Sequence, residues 1–371
     1  MVVSTIYPDP LNRNGPSGLI WELIEEIRQT CEISVEFIAP KSGFSGIVNK
    51  LGLFIKRGSR VWNSSDLILV YPFTSLRYVR RSEWHQVVVI GPDSASFLYA
   101  RFCRIANGIS KLRYAILAYW FHRLEHLLLE ECASYVVVGI NDRRWIKWVN
   151  TRVSERREKV VYLQHPLLSH SLIAISDDAL SQTQSRVGTE PIRLIFCGDL
   201  SVKYCGDMIA TLSRCMRSNN FFSSVASILV VGKKNAWVKT VFQREGATNV
   251  AYIDWVDDYR SLCSCADIHC FPLLAGAGTK NRALTATANG VTVVSTPIGL
   301  ENILNLAPKG KIYIGRTPRQ FVEAIRNALS NHLQVEHINL NKGVTGVRNF
   351  RSTVTARFKE DVNRLLRLDI R

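Results

Sequence analysis

The chain has 371 residues, of which 47% are hydrophobic and 21% charged. This length and composition allow two domains with full-sized cores and argue against a disordered chain. The formal net charge of +16 suits nucleic acid, an anionic membrane surface or phosphorylated substrates as partners. The sequence shows no helix-turn-helix, zinc-finger or RNP-like motif, so we expect no nucleic-acid partner.

The sequence contains little that would indicate a membrane-spanning segment, a signal peptide or a metal site. The longest apolar runs, such as Tyr114–Phe121, are far shorter than the roughly 20 residues that span a bilayer. The N-terminus lacks the basic region of a signal peptide. Cys263, Cys265 and Cys270 cluster, but neither a histidine nor a second cysteine pair completes a zinc pattern. We therefore expect buried thiols, a cytoplasmic location and no metal or other cofactor.

The first half of the chain alternates short apolar runs with helical segments. The predicted strands are Val2–Ile6, Ile33–Ile38, Leu67–Tyr71, Val87–Ile90 and Tyr135–Val138. Helical segments lie between them, including Gly18–Gln29 and the long stretch Phe97–Cys132. This alternation predicts a parallel, doubly wound α/β sheet. Gly15 and Gly18 lie in the loop after the first strand, which is either a ligand-binding loop or a plain strand-to-helix turn.

A basic, apolar segment follows the second predicted strand. There is no acidic residue between Glu36 and Asp66, while Lys41, Lys50, Lys56, Arg57 and Arg60 lie there among Phe, Ile, Leu and Val. This composition is typical of an interfacial segment that faces anionic lipid. The alternative is a helix packed on its own domain with solvated cations.

Two further residues of this half are candidates for a site. Asp93 is a short acid in a Gly-Pro loop just past a strand. It could serve as an acid/base residue, or Asp93 or Ser94 could simply cap the next helix. His165 precedes Pro166, and a lone histidine is more often structural.

A polar, Ser- and Gln-rich stretch separates the two halves, and a second alternation follows it. Its predicted strands lie near 192–197, 227–231, 249–253, 268–271, 291–294 and 311–314, and a basic helix closes the chain. We predict four parts: a first domain over 1–170, a linker over 171–190, a second domain over 191–345 and a terminal helix over 346–371.

The most informative stretch is Asp267–Ile303, which reads as strand, Gly-rich loop, helix, strand and Gly-containing turn. Unpaired N–H groups and the positive end of the helix dipole meet where such a loop opens a helix. Gly276 and Gly278 allow close approach of a ligand, and Lys280 and Arg282 add cations. An ordinary turn with two solvated basic residues is the alternative, because short Gly-rich motifs are weak signals.

Most of residues 191–350 resembles the donor-binding domain of GT-B fold glycosyltransferases, in particular the large group-1 (family 4-like) set. The matching positions are Gly198, Asn249, Val250, Trp255, Val256, Asp258, Ala266, Asp267, Pro272, Gly276, Gly278, Arg282, Ala286, Ala288, Gly290, Val293, Val294, Thr296 and Gly299. Arg282 replaces the usual lysine, and Thr285 replaces the acidic residue that holds the nucleotide ribose in relatives.

The resemblance implies two Rossmann-like domains facing across a cleft at the carboxyl ends of both sheets, and transfer of a sugar from a nucleotide-sugar to a glycan or lipid-linked acceptor without a metal. The implied donor-binding residues are Gly15, Gly198, Lys203, Gly276, Gly278, Thr279, Lys280, Arg282 and Thr285. Asp93 is implied as the acceptor-side acid/base residue, and Glu301, in a "G-x-E" element, as a residue near the donor sugar. Asp9 is a further candidate base.

Other functions stay open on sequence alone, because a fold does not fix a reaction. Because Thr285 replaces the usual acidic residue, the chain could also be a non-catalytic donor-binding subunit. A sugar-nucleotide epimerase of the same fold is a third reading, and a nucleic-acid binder driven by charge is a fourth.

Overall fold

The computed structural model describes residues 1–8, 15–38, 67–150, 158–174, 192–218, 226–232, 235–247, 249–256, 259–265, 268–308, 310–334 and 340–367. The chain divides into two compact units. The first comprises Met1–Pro166 together with Ala356–Arg371, and the second comprises Leu167–Thr355.

The first unit contains a parallel sheet whose strand order, among the described residues, is β2-β1-β3-β4-β5-β6. Its strands are β1 (Val2–Ser4), β2 (Val35–Phe37), β3 (Ile68–Tyr71), β4 (Val87–Ile90), β5 (Ser134–Val137) and β6 (Val160–Tyr162). Its helices are α1 (Gly15–Arg28), α2 (Ala95–Ile105), α3 (Gly108–Glu131) and α4 (Ile140–Val149), with 3-10 turns at Phe73–Tyr78 and Arg81–Gln86.

The second unit contains a parallel sheet with the order β12-β11-β10-β7-β8-β9 among its described residues. Its strands are β7 (Ile192–Cys197), β8 (Ala226–Val231), β9 (Val250–Ile253), β10 (Ile268–Phe271), β11 (Thr292–Ser295) and β12 (Ile312–Ile314). Its helices are α5 (Val202–Ser218), α6 (Ala236–Arg244), α7 (Tyr259–Cys265), α8 (Asn281–Ala288) and α9 (Pro318–Gln334). This strand order is that of a Rossmann sheet.

Both sheets are covered by helices on both faces, which is why their strands read as continuous apolar runs. Successive residues of a strand point to opposite faces, and the cores show this alternation. Val70 and Val89 pack with α3 in one cluster, whereas Leu69 and Val88 pack with α1 in another. In the second unit, Phe196 packs with α5, α6 and α9, and Ile195 packs on the opposite face with α7 and α8.

The last helix, α10 (Leu340–Leu366), belongs to both units by its packing. Phe350 and Val354 lie in a core of the second unit. Further along the helix, three residues spaced three and four apart pack in the core of the first unit: Phe358, Val362 and Leu365. The C-terminal part of α10 is therefore part of the first unit's core.

The predicted fold class is confirmed: the chain has two parallel α/β sheets of the Rossmann type. Two details of the prediction are wrong. The long helical stretch Phe97–Cys132 is two helices, because the chain turns between Ile105 and Gly108, and Gly108 has φ +56°, which favours glycine. The short strand β6 was not predicted, since its apolar run is only Val160–Tyr162.

We expect Phe358→Ala to destabilise the first unit by about 3 kcal/mol, because the ring is 5% exposed and its removal leaves a cavity. Urea unfolding followed by circular dichroism measures the change. The exposed neighbour Glu360→Ala is the matched control and should unfold like the wild type. Equal unfolding midpoints for both variants would contradict the packing role.

Candidate functional site

The main candidate site lies at the carboxyl ends of β7 and β10, which are neighbours in the second sheet. In a sheet of this order, the strand order reverses between these two strands. The loops that follow them therefore diverge to opposite sides and leave a crevice, where ligands of such sheets bind. The β7 loop begins at Gly198, and the β10 loop runs from Pro272 to Lys280.

The β7 loop is fixed by Asn235, which comes from the loop after β8 and is 1% exposed. Asn235 Nδ2 donates to the carbonyl oxygens of Gly198 (2.6 Å) and Val231 (3.0 Å). Asn235 Oδ1 accepts from the N–H of Leu200 at 3.1 Å. Gly198 has φ +117°, a conformation that L side chains rarely adopt. The backbone at this strand end is thus held in one conformation by a fully bonded buried amide.

The β10 loop depends on its two glycines and on a lysine. Gly278 has φ +64°, and a Cβ at Gly276 would lie 2.7 Å from Cε of Lys280. The Lys280 ammonium donates to the carbonyl oxygens of Ala277 and Gly278, the latter at 2.9 Å. Lys280 thus closes the loop on itself, and its predicted contact with donor phosphate stays a prediction.

Arg282, in the first turn of α8, joins the two loops. Its Nη1 donates to Sγ of Cys197 at 3.1 Å, and its Cζ lies 5.2 Å from the centre of the Tyr259 ring. Its Cδ would lie 3.6 Å from a Cβ at Gly198. A planar cation that binds phosphate through several N–H groups therefore lies beside the open face of Gly198.

A buried pair beneath Arg282 was not predicted from the sequence. The Tyr259 hydroxyl lies 2.7 Å from Nδ1 of His269 and 3.3 Å from the carbonyl oxygen of Arg282. Burial lowers the pKa of His269 to about 3, so the ring is neutral. The available signal was a histidine inside the apolar strand Ile268–Phe271. The pair fixes the ring on which the arginine lies.

The turn after β11 is bonded to the β10 loop. Asn302, at φ +69°, donates from Nδ2 to Oγ1 of Thr279 at 3.2 Å. The hydroxyl of Thr296 donates to the carbonyl oxygen of Leu273. Glu301 is 7% exposed in this turn, and Thr285 is 7% exposed one turn into α8 from Arg282. The structure thus brings Gly198, Gly276, Gly278, Thr279, Lys280, Arg282 and Glu301 to one region of the second unit.

In the first unit, Asp93 follows β4 and is half-buried. Ser94, not Asp93, caps α2, because its side chain accepts from the N–H of Phe97 at 3.2 Å. The pKa values of Tyr71 and Tyr135 are raised chiefly by burial, and also by the nearby Asp93 carboxylate. A capping role thus belongs to Ser94, and the acid/base role of Asp93 stays a prediction.

The Asp93 loop rests on a buried acidic network that was not predicted. Glu125 of α3 is 2% exposed and accepts from the hydroxyls of Ser94 (2.9 Å) and Ser96. Asp142 of α4 is fully buried and accepts from the N–H of Ser94 at 2.8 Å. Burial raises the pKa of Glu125 to about 7. Two acids thus hold the loop from below.

The remaining predicted residues contribute less. α1 begins at Gly15, and Lys203 lies in the first turn of α5. His165 is buried, its Nδ1 lies 2.8 Å from the carbonyl oxygen of Pro166, and burial lowers its pKa to about 4, as in a structural histidine. Some predicted base and membrane-contact residues lie outside the described ranges: Asp9, Lys41, Lys50, Lys56, Arg57 and Arg60.

Within the described ranges, no group of three or more His, Cys, Asp or Glu side chains is placed to hold a metal ion. No helix in that part of the chain is both long and apolar enough to cross a membrane.

Comparison with known families gives a match over part of the chain. Residues 191–331 match the family Glycosyl transferases group 1. This match covers both loops of the candidate site and the strands that carry them. The second unit therefore contains a region of the group-1 glycosyltransferase family, and the whole chain has the GT-B fold.

Solved structures resemble the whole chain at low identity. Sucrose-phosphate synthase from Thermosynechococcus elongatus has a TM-score of 0.65 and 14% identity, covering 99% of this chain and 97% of that chain. WaaG, a glycosyltransferase involved in lipopolysaccharide biosynthesis, has a TM-score of 0.59 and 14% identity, covering 100% and 99%. HepE of Anabaena in complex with UDP and glucose has a TM-score of 0.59 and 13% identity, covering 98% and 97%. The search of curated proteins gave no significant match.

Arg282→Ala should weaken binding of the cognate nucleoside diphosphate about tenfold or more, because a charged hydrogen-bond donor beside Gly198 is lost. Binding of the free nucleoside should change little. The variant Arg282→Lys keeps the charge but loses the planar guanidinium. Its affinity for the diphosphate should lie between those of the wild type and of Arg282→Ala. Calorimetric titration of the nucleoside and the diphosphate measures both, with the exposed Arg244→Ala as the control. Equal weakening of nucleoside and diphosphate would contradict the assignment.

Glu125→Gln should become more stable relative to the wild type as pH rises. The folded wild type keeps a proton up to a pKa of about 7, which the unfolded chain releases near its ordinary 4.5. The wild type therefore loses stability between these values, by on the order of 3 kcal/mol, and the glutamine does not. Unfolding at pH 5 and pH 8 measures the difference, and the exposed Glu32→Gln controls for loss of one carboxylate. A difference that is independent of pH would show that Glu125 is ionised in the fold throughout.

Proposed function

We propose that this protein transfers a sugar from a nucleoside-diphosphate donor to a hydroxyl group of a glycan or lipid-linked acceptor, in surface polysaccharide or glycoconjugate biosynthesis. The observation that carries the proposal is the arrangement of the two Gly loops around Arg282. The cation lies beside Gly198, a residue that presents no side chain, and follows a loop that opens a helix.

The second unit is proposed to hold the donor. Backbone N–H groups at the start of α8 and the Arg282 guanidinium would bind the diphosphate and neutralise the charge that develops as it leaves. Thr279, Glu301 and Thr285 would contact the sugar and ribose. HepE, solved with UDP and with UDP-glucose, supports a uridine donor as the first to test. The proposed reaction needs no metal ion, since basic side chains and a helix N-terminus would neutralise the diphosphate instead.

The first unit is proposed to supply the base. The acceptor oxygen would form a bond to the anomeric carbon, the bond to the diphosphate oxygen would break, and the acceptor proton would pass to the Asp93 carboxylate. Because Ser94 already caps α2, the Asp93 carboxylate is spared that task. A positioned base of this kind contributes about 10²–10⁴-fold in rate.

A location at the cytoplasmic face of a membrane completes the proposal. The segment with Lys41, Lys50, Lys56, Arg57 and Arg60 supports it by composition alone, since cations among apolar residues suit an anionic lipid surface.

The experiment has two stages. A panel of nucleoside diphosphates is first screened by the shift in melting temperature. A ligand present at 100 times its Kd raises the free energy of unfolding by about 2.7 kcal/mol. Transfer from the matching UDP-sugar or other nucleotide-sugar is then measured for the wild type and for Asp93→Asn. The variant should lose about 100-fold or more in transfer and keep donor binding and stability.

The exposed Glu32→Gln, at the amino end of β2, is the matched control and should transfer normally. Stabilisation without transfer or hydrolysis would identify a donor-binding subunit instead of an enzyme. Interconversion of the donor sugar would identify an epimerase. Near-normal transfer by Asp93→Asn would contradict its role as the base.

A further inference from the structure

Helix α3 is apolar on two sides, and only one side packs inside its own unit. Phe121, Leu124 and Leu128 are at most 5% exposed and lie in the core of the first unit. Toward the start of the helix, Tyr114 packs against Phe102 of α2 at a ring distance of 5.1 Å. These residues cover one face of α3, so the packing of the first unit accounts for that face alone.

The opposite side of α3 carries an exposed stripe. Ile109 is 88% exposed, Leu112 63%, Ile116 59% and Tyr119 67%. Their spacing of three and four residues places them on one face over about 15 Å. Scattered exposed apolar residues are ordinary, but a continuous row of them marks an interaction surface.

The charge along α2 and the first part of α3 has one sign. There is no acidic residue between Asp93 and Glu125, so α2 and most of α3 lack an exposed acid. Four exposed cations lie in this stretch: Arg104, Lys111, Arg113 and Arg123. A stripe of aliphatic and tyrosine side chains, with only cations among the charged residues of the same stretch, is the composition of an interfacial helix on anionic lipid.

The same cations disfavour pairing of the stripe with a second copy of the chain. In a symmetric dimer they would face their own equivalents across a low-dielectric contact, and like charges there are unfavourable. Anionic headgroups would neutralise them instead. The helix is also held in place: Tyr99 of α2 stacks on Phe121 at 5.3 Å, and Sγ of Cys103 contacts the carbonyl oxygen of Lys111 at 3.6 Å.

We propose that the exposed stripe Ile109–Leu112–Ile116–Tyr119 of α3, with Arg104, Lys111, Arg113 and Arg123, is a docking surface for an anionic lipid bilayer. The helix lies parallel to the membrane plane, with the stripe among the acyl chains and the cations at the headgroups. This surface is separate from the basic segment at Lys41–Arg60, and the proposal does not depend on the transfer reaction.

The test is co-sedimentation of the full chain with vesicles of phosphatidylcholine and phosphatidylglycerol in equal parts, compared with vesicles of phosphatidylcholine alone. The variant Ile109→Gln/Leu112→Gln/Ile116→Gln should lower binding to the anionic vesicles about tenfold or more. Its melting temperature and donor binding should stay unchanged, because all three side chains are already exposed. The control Leu304→Gln/Ile314→Gln, two exposed apolar residues of the second unit, should bind like the wild type.

A charge variant tests the second half of the proposal. Arg104, Lys111, Arg113 and Arg123 changed together to Gln should reduce both binding and its dependence on salt. Changing four exposed cations of the second unit, Arg214, Arg244, Arg316 and Arg319, should leave both as in the wild type.

Three results would overturn the proposal. The first is equal binding of neutral and anionic vesicles. The second is normal vesicle binding by the stripe variant, with binding lost instead when Lys41, Lys50, Lys56, Arg57 and Arg60 are changed to Gln. The third is a wild-type dimer, seen by light scattering, that the stripe variant dissociates while vesicle binding is unchanged; the stripe would then be a contact between two copies.

Discussion

The parallel pairing of β7 with β10 is the constraint on which the candidate donor site depends. Residues 192 to 197 and residues 268 to 271 are far apart in the sequence, yet Ile268 pairs with Leu194 and Cys270 with Phe196. Because both strands run in the same direction, their carboxyl ends lie at the same edge. The chain order then sends the following loops to opposite sides. Gly198 and Arg282 meet only because of this register.

Several polar groups around the two strand ends are bonded to the protein itself. Asn235 fixes the β7 loop, Lys280 fixes the β10 loop, and Tyr259 with His269 fixes the backbone and side chain of Arg282. A cation held in this way loses little side-chain freedom when it binds an anion. The first unit also holds a candidate site residue in place through buried polar groups, but these are acids: Glu125 and Asp142 bind the loop that carries Asp93. Burial of Glu125 is unfavourable for its charged form, so this support costs stability at neutral pH.

Helix α3 combines two tasks on one element. Its Glu125 lies below the Asp93 loop, while its Ile109–Tyr119 stripe faces solvent several turns earlier. The helix is apolar around most of its circumference in its first half, which in a soluble domain normally means burial. The tertiary structure leaves one of these faces open, and the surrounding charge indicates the kind of surface that would cover it.

Local sequence patterns were enough to locate many of the strands and loops. Buried parallel strands read as continuous apolar runs, so β4, β7 and β10 were located within a residue or two. Gly198, Gly276 and Gly278 were visible because positive φ values and close approach require glycine. The spacing of these residues also carried the resemblance to the glycosyltransferase family. Local patterns of this kind depend on backbone preferences, which neighbouring residues express without reference to the rest of the fold.

Long-range packing, in contrast, sets how those strands and loops are held and what they contact. Glu125 looked like one of several acids on a helix, and its burial beneath Ser94 and Ser96 depends on how α3 crosses α2. Lys280 looked free for phosphate, and the fold turns its ammonium onto two loop carbonyls. Tyr259 and His269 carried no recognisable motif, and they meet because α7 packs on β10. The exposure of Ile109 and Leu112 could not be predicted either, since an apolar helix face has the same sequence pattern whether it is buried or exposed. Such contacts join residues distant in sequence, so they follow from packing and not from local pattern.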